Sequence, residues 1–184
     1  MRYLPYVPLL AVACAASAQA FATQYLSPEQ AQKLMFPEAD AFRPQPLALD
    51  TAQMGKVEQL AGLSARSAQW RAVAAYKGDT LLGYVVLDDV VGKFELISYA
   101  VALKPDASVL SVEILAYRES HGGEIRLPAW RRQFTGKSAR TGDLRIGAGI
   151  QNISGATLSC THVTDGVRRI AAVAQVVLAG APAK

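Results

Sequence analysis

From residue 70 to residue 117, apolar runs of strand length are separated by short polar turns. Residues 70–76 and 81–87 flank Lys77-Gly78-Asp79, and residues 94–103 and 109–117 flank Lys104-Pro105-Asp106, which predicts two hairpins and hence an antiparallel sheet. Within the last run Val112, Ile114 and Ala116 alternate with Ser111, Glu113 and Leu115, so the first three are expected on one buried face. The period changes after residue 158. Val163, Val167, Ile170, Val173 and Val177 recur three and four apart, the pattern of a long helix reaching to about residue 178.

Helix signals also precede the sheet. Ser27-Pro28-Glu29-Gln30 supplies a cap, a first-turn proline and a capping-box glutamine, and that helix should stop near Phe36-Pro37. Residues 42–49 carry Pro44 and Pro46 and are expected to be extended, whereas residues 51–63 place Met54, Val57, Leu60 and Ala61 on one helical side. Later, the loop Glu119-Ser120-His121-Gly122-Gly123 leads to a short helix at residues 128–134 and a polar loop through Gly142. No strand-helix-strand rhythm surrounds Gly147-Ala148-Gly149, so these glycines are not a dinucleotide-binding fingerprint. The expected fold is α+β, an antiparallel sheet with flanking helices and a long C-terminal helix, with residues 21–65 as a helical lead-in and residues 66–184 as the main domain.

The first residues read as an address. Met1-Arg2 is a short positive start, residues 7–16 are apolar, and Ala18-Gln19-Ala20 has the small-residue pattern of a signal peptide cleaved after Ala20. An uncleaved N-terminal membrane anchor is the alternative, and Pro5, Pro8 and the Ala-rich centre argue against it. Without residues 1–20 the sole cysteine is Cys160, which excludes an internal disulfide and a redox pair, and Cys160 with His162 is too small a set for a structural metal. At 184 residues and a formal net charge of +4, with basic residues scattered, the chain is expected to build one core and to bind no nucleic acid. A hydrolase needs a nucleophile elbow and a His-carboxylate pair around Ser154 or Ser159, and neither is found.

At the start of the long helix lies Gln151-Asn152-Ile153-Ser154-Gly155-Ala156-Thr157-Leu158-Ser159. Two readings stand side by side. Ser154 or Thr157 caps the helix while Gly155 allows a tight approach, or the free N–H groups and positive end of the helix hold a phosphate that a hydroxyl could carry covalently.

This stretch resembles the motif Asp-x-x-(Ser/Thr)-Gly-Ala-Thr-x-(Ser/Thr) of the FMN-binding domain family, found in flavin-bearing subunits of the Na+-translocating NADH:quinone reductase and the related electron-transport complex; Gln151 stands at the acidic position. The segment from Tyr117 to Ile125, with Trp130 and Gln133-Phe134-Thr135-Gly136-Lys137 after it, is similar to a second family loop and the Phe-x-Gly-Lys that follows it, with Ser120-His121 in place of Thr-Pro. The likeness runs from about Tyr99 to Ala172. It implies that a flavin transferase, using FAD, joins FMN through its phosphate to Thr157, with Ser154, Gly155, Ala156, Leu158 and Ser159 around the ester. Glu119, His121, Gly122 and Gly123 are then the candidates for contact with the flavin ring, and Arg126 and Lys137 for offsetting its charge. The implied protein is an exported, periplasmic electron carrier with covalent FMN and no substrate of its own, working with a membrane or periplasmic redox protein, with membrane association among the expected partners. Non-covalent FMN binding, a sensor role and a flavin-free adaptor are the alternatives.

Overall fold

The strand-length runs fold into a four-strand antiparallel meander, β4 (Gln69–Lys77), β5 (Thr80–Val91), β6 (Leu96–Leu103) and β7 (Val109–Tyr117). The structure, a computed structural model, describes residues 23–178, so the expected signal peptide at residues 1–20 lies outside the described residues. Three short strands complete the sheet. Strand β1 (Thr23–Gln24) pairs with β7, while β2 (Ala41–Pro44) and β3 (Leu47–Ala48) pair with β4, giving the order β1-β7-β6-β5-β4-β2 with β3 also on β4. Of residues 21–65, expected as a helical lead-in, the described stretch 23–61 thus supplies strands to both edges of the sheet as well as two helices.

Each helix is placed by its polar ends and apolar side. In α1 (Pro28–Met35) the Ser27 hydroxyl accepts from Gln30 N at 3.2 Å and the Gln30 side chain accepts from Ser27 N at 2.7 Å. Asp50 and Gln53 form the same reciprocal pair at the start of α2 (Thr51–Ala61), and Gly62, at φ +66°, closes it in the left-handed conformation. Helix α1 covers one face of the sheet, burying Ala31 and Met35 against Ala75, Val85, Ala100 and Leu115. The other face is covered by α4 (Thr157–Leu178), which buries Val163, Val167, Ile170 and Val173 on the expected stripe, with α2 beside it. Each such valine or isoleucine contributes about 1.5–3 kcal/mol.

A small residue lets α4 sit close. A Cβ on Gly166 would lie 1.9 Å from the Tyr99 hydroxyl, which itself donates to Asp88 at 2.6 Å. Asp88 also meets the Arg66 guanidinium at 2.7 Å, and the buried Arg169 donates through Nε to Ser64 O at 2.7 Å. Burial drives the Tyr99 hydroxyl pKa well up, with the neighbouring Asp88 carboxylate adding to it, so Tyr99 stays a protonated donor.

Two local expectations change. Phe94 does not begin a strand, because its N–H and that of Glu95 are taken by the Glu119 carboxylate and leave the ladder; β6 starts at Leu96. In β7 the pairing slips between Ser98↔Ala116 and Tyr99↔Ile114, so Leu115 is an extra residue. Tyr117, rather than Ala116, therefore joins Val112 and Ile114 on the α4 side.

Gly166→Ala should displace α4 from Tyr99 and cost about 1–3 kcal/mol, read as a lowered urea midpoint with an unchanged slope. An unchanged midpoint would contradict the close approach.

Candidate functional site

The end of β7 and the start of α4 meet at a single point. Gly122, at φ +86°, carries no side chain because a Cβ would lie 2.6 Å from Ala156 Cβ and 2.7 Å from the Tyr117 hydroxyl. Tyr117 donates to His121 O and lies 3.1 Å from Ser159 Oγ, so one hydroxyl joins the 119–123 loop to the first turn of α4. Burial pushes the Tyr117 pKa up against the opposing bond from Ser159, and the bridge stays protonated. The bulge in β7 is what aims Tyr117 here.

Two clefts open on either side of this junction and share Ser120, His121 and Gly155. The first, about 420 Å³, is lined by Gly122, Gly123, Glu124, Arg126, Leu127 and Ser154 as well. The second, about 410 Å³, adds Lys93, Phe94, Glu119 and the run from Ala156 to Ser159. Thr157 belongs to the second cleft. It is exposed and is the first residue of α4, ahead of the first intrahelical bond from Cys160 N to Ala156 O at 2.9 Å.

The Thr157 hydroxyl is oriented rather than used as a cap: Asn152 Nδ2 donates to Thr157 Oγ1 at 3.0 Å, which leaves the hydroxyl proton unengaged by that bond. Asn152 is held in turn through its neighbour. Trp130 Nε1 donates to Gln151 O at 2.8 Å, and Gln151 N donates to Gln133 Oε1 at 2.8 Å. Trp130 sits in α3 (Pro128–Arg131), buried edge-on to Phe134 at a centroid distance of 5.0 Å, so it packs and props instead of offering a stacking face. The Gln151 position acts here through its backbone.

The remaining expected residues divide. Ser154, Gly155 and Leu158 are exposed around the clefts, and Gly155 adopts φ +81°. Ala156 is buried, and Ser159, only 3% exposed, is committed to Tyr117. His121 is exposed, with Nδ1 2.9 Å from Ser120 Oγ. Gly123 opens a short 3-10 turn, residues 123–126, and Arg126 lies over the Tyr25 ring at 4.8 Å while lining the first cleft. Lys137, expected to offset flavin charge, lines neither cleft and is paired with Asp143. Cys160 is fully buried, and His162 holds its Nδ1 2.5 Å from Val91 O, which makes that nitrogen the donor.

Glu119 lines the second cleft and is also held by backbone. Its Oε1 accepts from Phe94 N at 2.6 Å and Glu95 N at 2.9 Å, across the tip of the β5–β6 hairpin. Burial pushes its pKa up, but the N–H groups of Glu95, Phe94 and Lys93 and the Lys93 charge outweigh that and hold the carboxyl below its usual range. Lys93, Phe94, Tyr117 and Asn152 were not singled out from sequence. Phe94 reads as a strand residue, and Asn152 occupies an unspecified place within the motif.

Residues 92–172 match the family described as the FMN-binding domain. Among solved structures, the crystal structure of Shewanella oneidensis NqrC is similar at 18% identity over 75% of this chain and 79% of that one, with a TM-score of 0.49. Among curated proteins there is no match.

A depressed carboxyl pKa stabilises above the unfolded-state value and ceases to do so as pH falls through the folded value. Hydrogen-exchange protection of the Phe94 and Glu95 amides should accordingly be level above about pH 5 and fall on further acidification. Glu119→Ala should lack that protection at neutral pH; persistent protection would rule out the carboxylate as its source.

Proposed function

We infer that a chain whose residues 92–172 form an FMN-binding domain carries its FMN covalently, as a phosphoester on Thr157, and serves as an electron carrier. The observation that carries the reading is the open Thr157 hydroxyl, held by Asn152 on the wall of a cleft at the N-terminus of a 22-residue helix. The residues fit the group. Clefts of about 420 and 410 Å³ fall within the volumes typical of small-molecule sites, and Gly155 lines both without a side chain.

Attachment asks little of this chain beyond presenting one oxygen. Thr157 loses its hydroxyl proton to a base of the transferase as Oγ1 joins the FMN phosphorus of FAD, the pyrophosphate bond breaks and AMP leaves. Asn152 keeps Oγ1 turned outward, and Ala156 keeps the approach free of bulk. Once the ester is made, the first-turn N–H groups and positive end of α4 stabilise the remaining phosphate charge, with the Lys93 ammonium on the same cleft. Bound flavin supplies reversible one- and two-electron chemistry.

The same reading places the protein outside the cytoplasm. Met1-Arg2, the apolar residues 7–16 and Ala18-Gln19-Ala20 support export with cleavage after Ala20. No helix among the described residues is long and apolar enough to cross a membrane. A cofactor lost outside the cytoplasm is not readily replaced, so a covalent tether suits a periplasmic carrier whose partners are membrane or periplasmic redox proteins.

Co-expression with an active flavin transferase should add the mass of one FMN phosphoryl group, and Thr157→Ala should abolish the addition. Asn152→Ala should slow it by a few-fold to about tenfold, the worth of one orienting hydrogen bond. Unmodified wild-type protein, or flavin retained by Thr157→Ala after denaturation, would overturn the assignment.

A further inference from the structure

The tip of the β5–β6 hairpin is an odd place to find a large exposed aromatic. Phe94 is 75% exposed, yet its turn is fastened from three directions. Glu119 accepts from Phe94 N and Glu95 N, and Gly92 N donates to Glu95 O at 2.8 Å. From α4, His162 Nδ1 lies 2.5 Å from Val91 O and 3.1 Å from Gly92 O. A Cβ on Gly92 would stand 2.6 Å from Glu119 Oε1, so a side chain there would push the carboxylate away from the turn. A turn that merely joins two strands ordinarily stays mobile and needs no such bracing. Here the two braces from outside the turn come from elements of the site: the loop after β7, and α4 five residues beyond Thr157.

What the bracing fixes is a wall. Lys93 and Phe94 line the cleft that contains Thr157 and are absent from the lining of the other. Leu158, 45% exposed, is a second apolar side chain on the same cleft. The Lys93 ammonium lies 4.8 Å from the Phe94 ring centroid, over one face, which leaves the second face for a flat partner. The first cleft has no Phe, Tyr or Trp ring in its lining.

Building on the Thr157 attachment, we propose that Phe94 is the stacking wall for the flavin ring system, on the cleft shared by Thr157 and Lys93, and that Glu119 is a positioning residue that holds Phe94 there. Glu119 acts on the flavin through the hairpin tip, with its hydrogen-bonded oxygen turned to the backbone. The flavin ring is then restrained at two points, the phosphoester and the aromatic wall.

The test uses full-length protein flavinylated by co-expression and reads time-resolved fluorescence anisotropy of the attached flavin, with visible circular dichroism as a second signal. In wild type the ring should depolarise mainly with the whole protein. Phe94→Ala, at an exposed position and read on the flavinylated fraction, should raise the amplitude of nanosecond ring motion at least about twofold. Glu119→Ala should do the same, the double variant should be no looser than either single, and Phe94→Trp should stay restrained. Leu127→Ala, on the first cleft, should change nothing. An attached flavin indifferent to Phe94→Ala, or loosened by Leu127→Ala instead, overturns this inference while leaving the Thr157 assignment intact. A silent Glu119→Ala overturns the positioning role. Wild-type chain emerging without flavin overturns both the attachment and the wall.

Discussion

The close approach of Gly122 to Ala156 is the constraint on which the site depends. Only a residue without a side chain fits between Ala156 and the Tyr117 hydroxyl, so the loop after β7 and the beginning of α4 touch through backbone and a single methyl group. That contact brings together two motifs more than thirty positions apart in the chain and puts a cleft on each side of their junction. Tyr117 secures it with a hydroxyl that reaches His121 O and Ser159 Oγ at once. Tyr117 reaches this position only because Leu115 is an additional residue in its strand; the bulge turns a side chain toward the site instead of weakening the sheet.

Polar groups around the junction are largely spoken for. Ser159 serves Tyr117, Glu119 serves the hairpin tip, His162 serves Val91 and Gly92, and Asn152 serves Thr157. These bonds brace the walls of the cleft and leave the Thr157 proton outside the network. Pre-organisation of this kind lowers the ordering cost when a cofactor is attached. Farther along the same helix, Tyr99 lying on Gly166 sets how closely α4 approaches the sheet, and so how far its first turn stands from β7.

Much of the architecture was legible in the chain. The two hairpins, the Ser27–Gln30 capping box and the stripe of Val163, Val167, Ile170 and Val173 depend on local periodicity and short-range hydrogen bonds, which a linear sequence records directly. The Ser154 to Ser159 stretch was equally visible as the opening of a helix, although the Thr157 and Ser159 hydroxyls meet Asn152 and Tyr117. The edge strands β1, β2 and β3 were not visible as strands, because two to four residues are too few to show a period and their pairing is decided by a distant partner.

By itself the sequence determined the local pieces: a Ser-Gly-Ala-Thr stretch at a helix start, and glycines where the backbone must come close. Tertiary structure alone decided which side chains share a cleft. Phe94 leaves the strand pattern because a carboxylate 25 residues later takes its N–H, and Tyr117 changes face because of a register slip against β6. Lys137 turns away because Asp143 pairs with it. For Phe94 and Tyr117 the physical reason is the same: the hydrogen bond or the bulge is made with a partner whose position depends on the folded sheet, and local periodicity carries no trace of it.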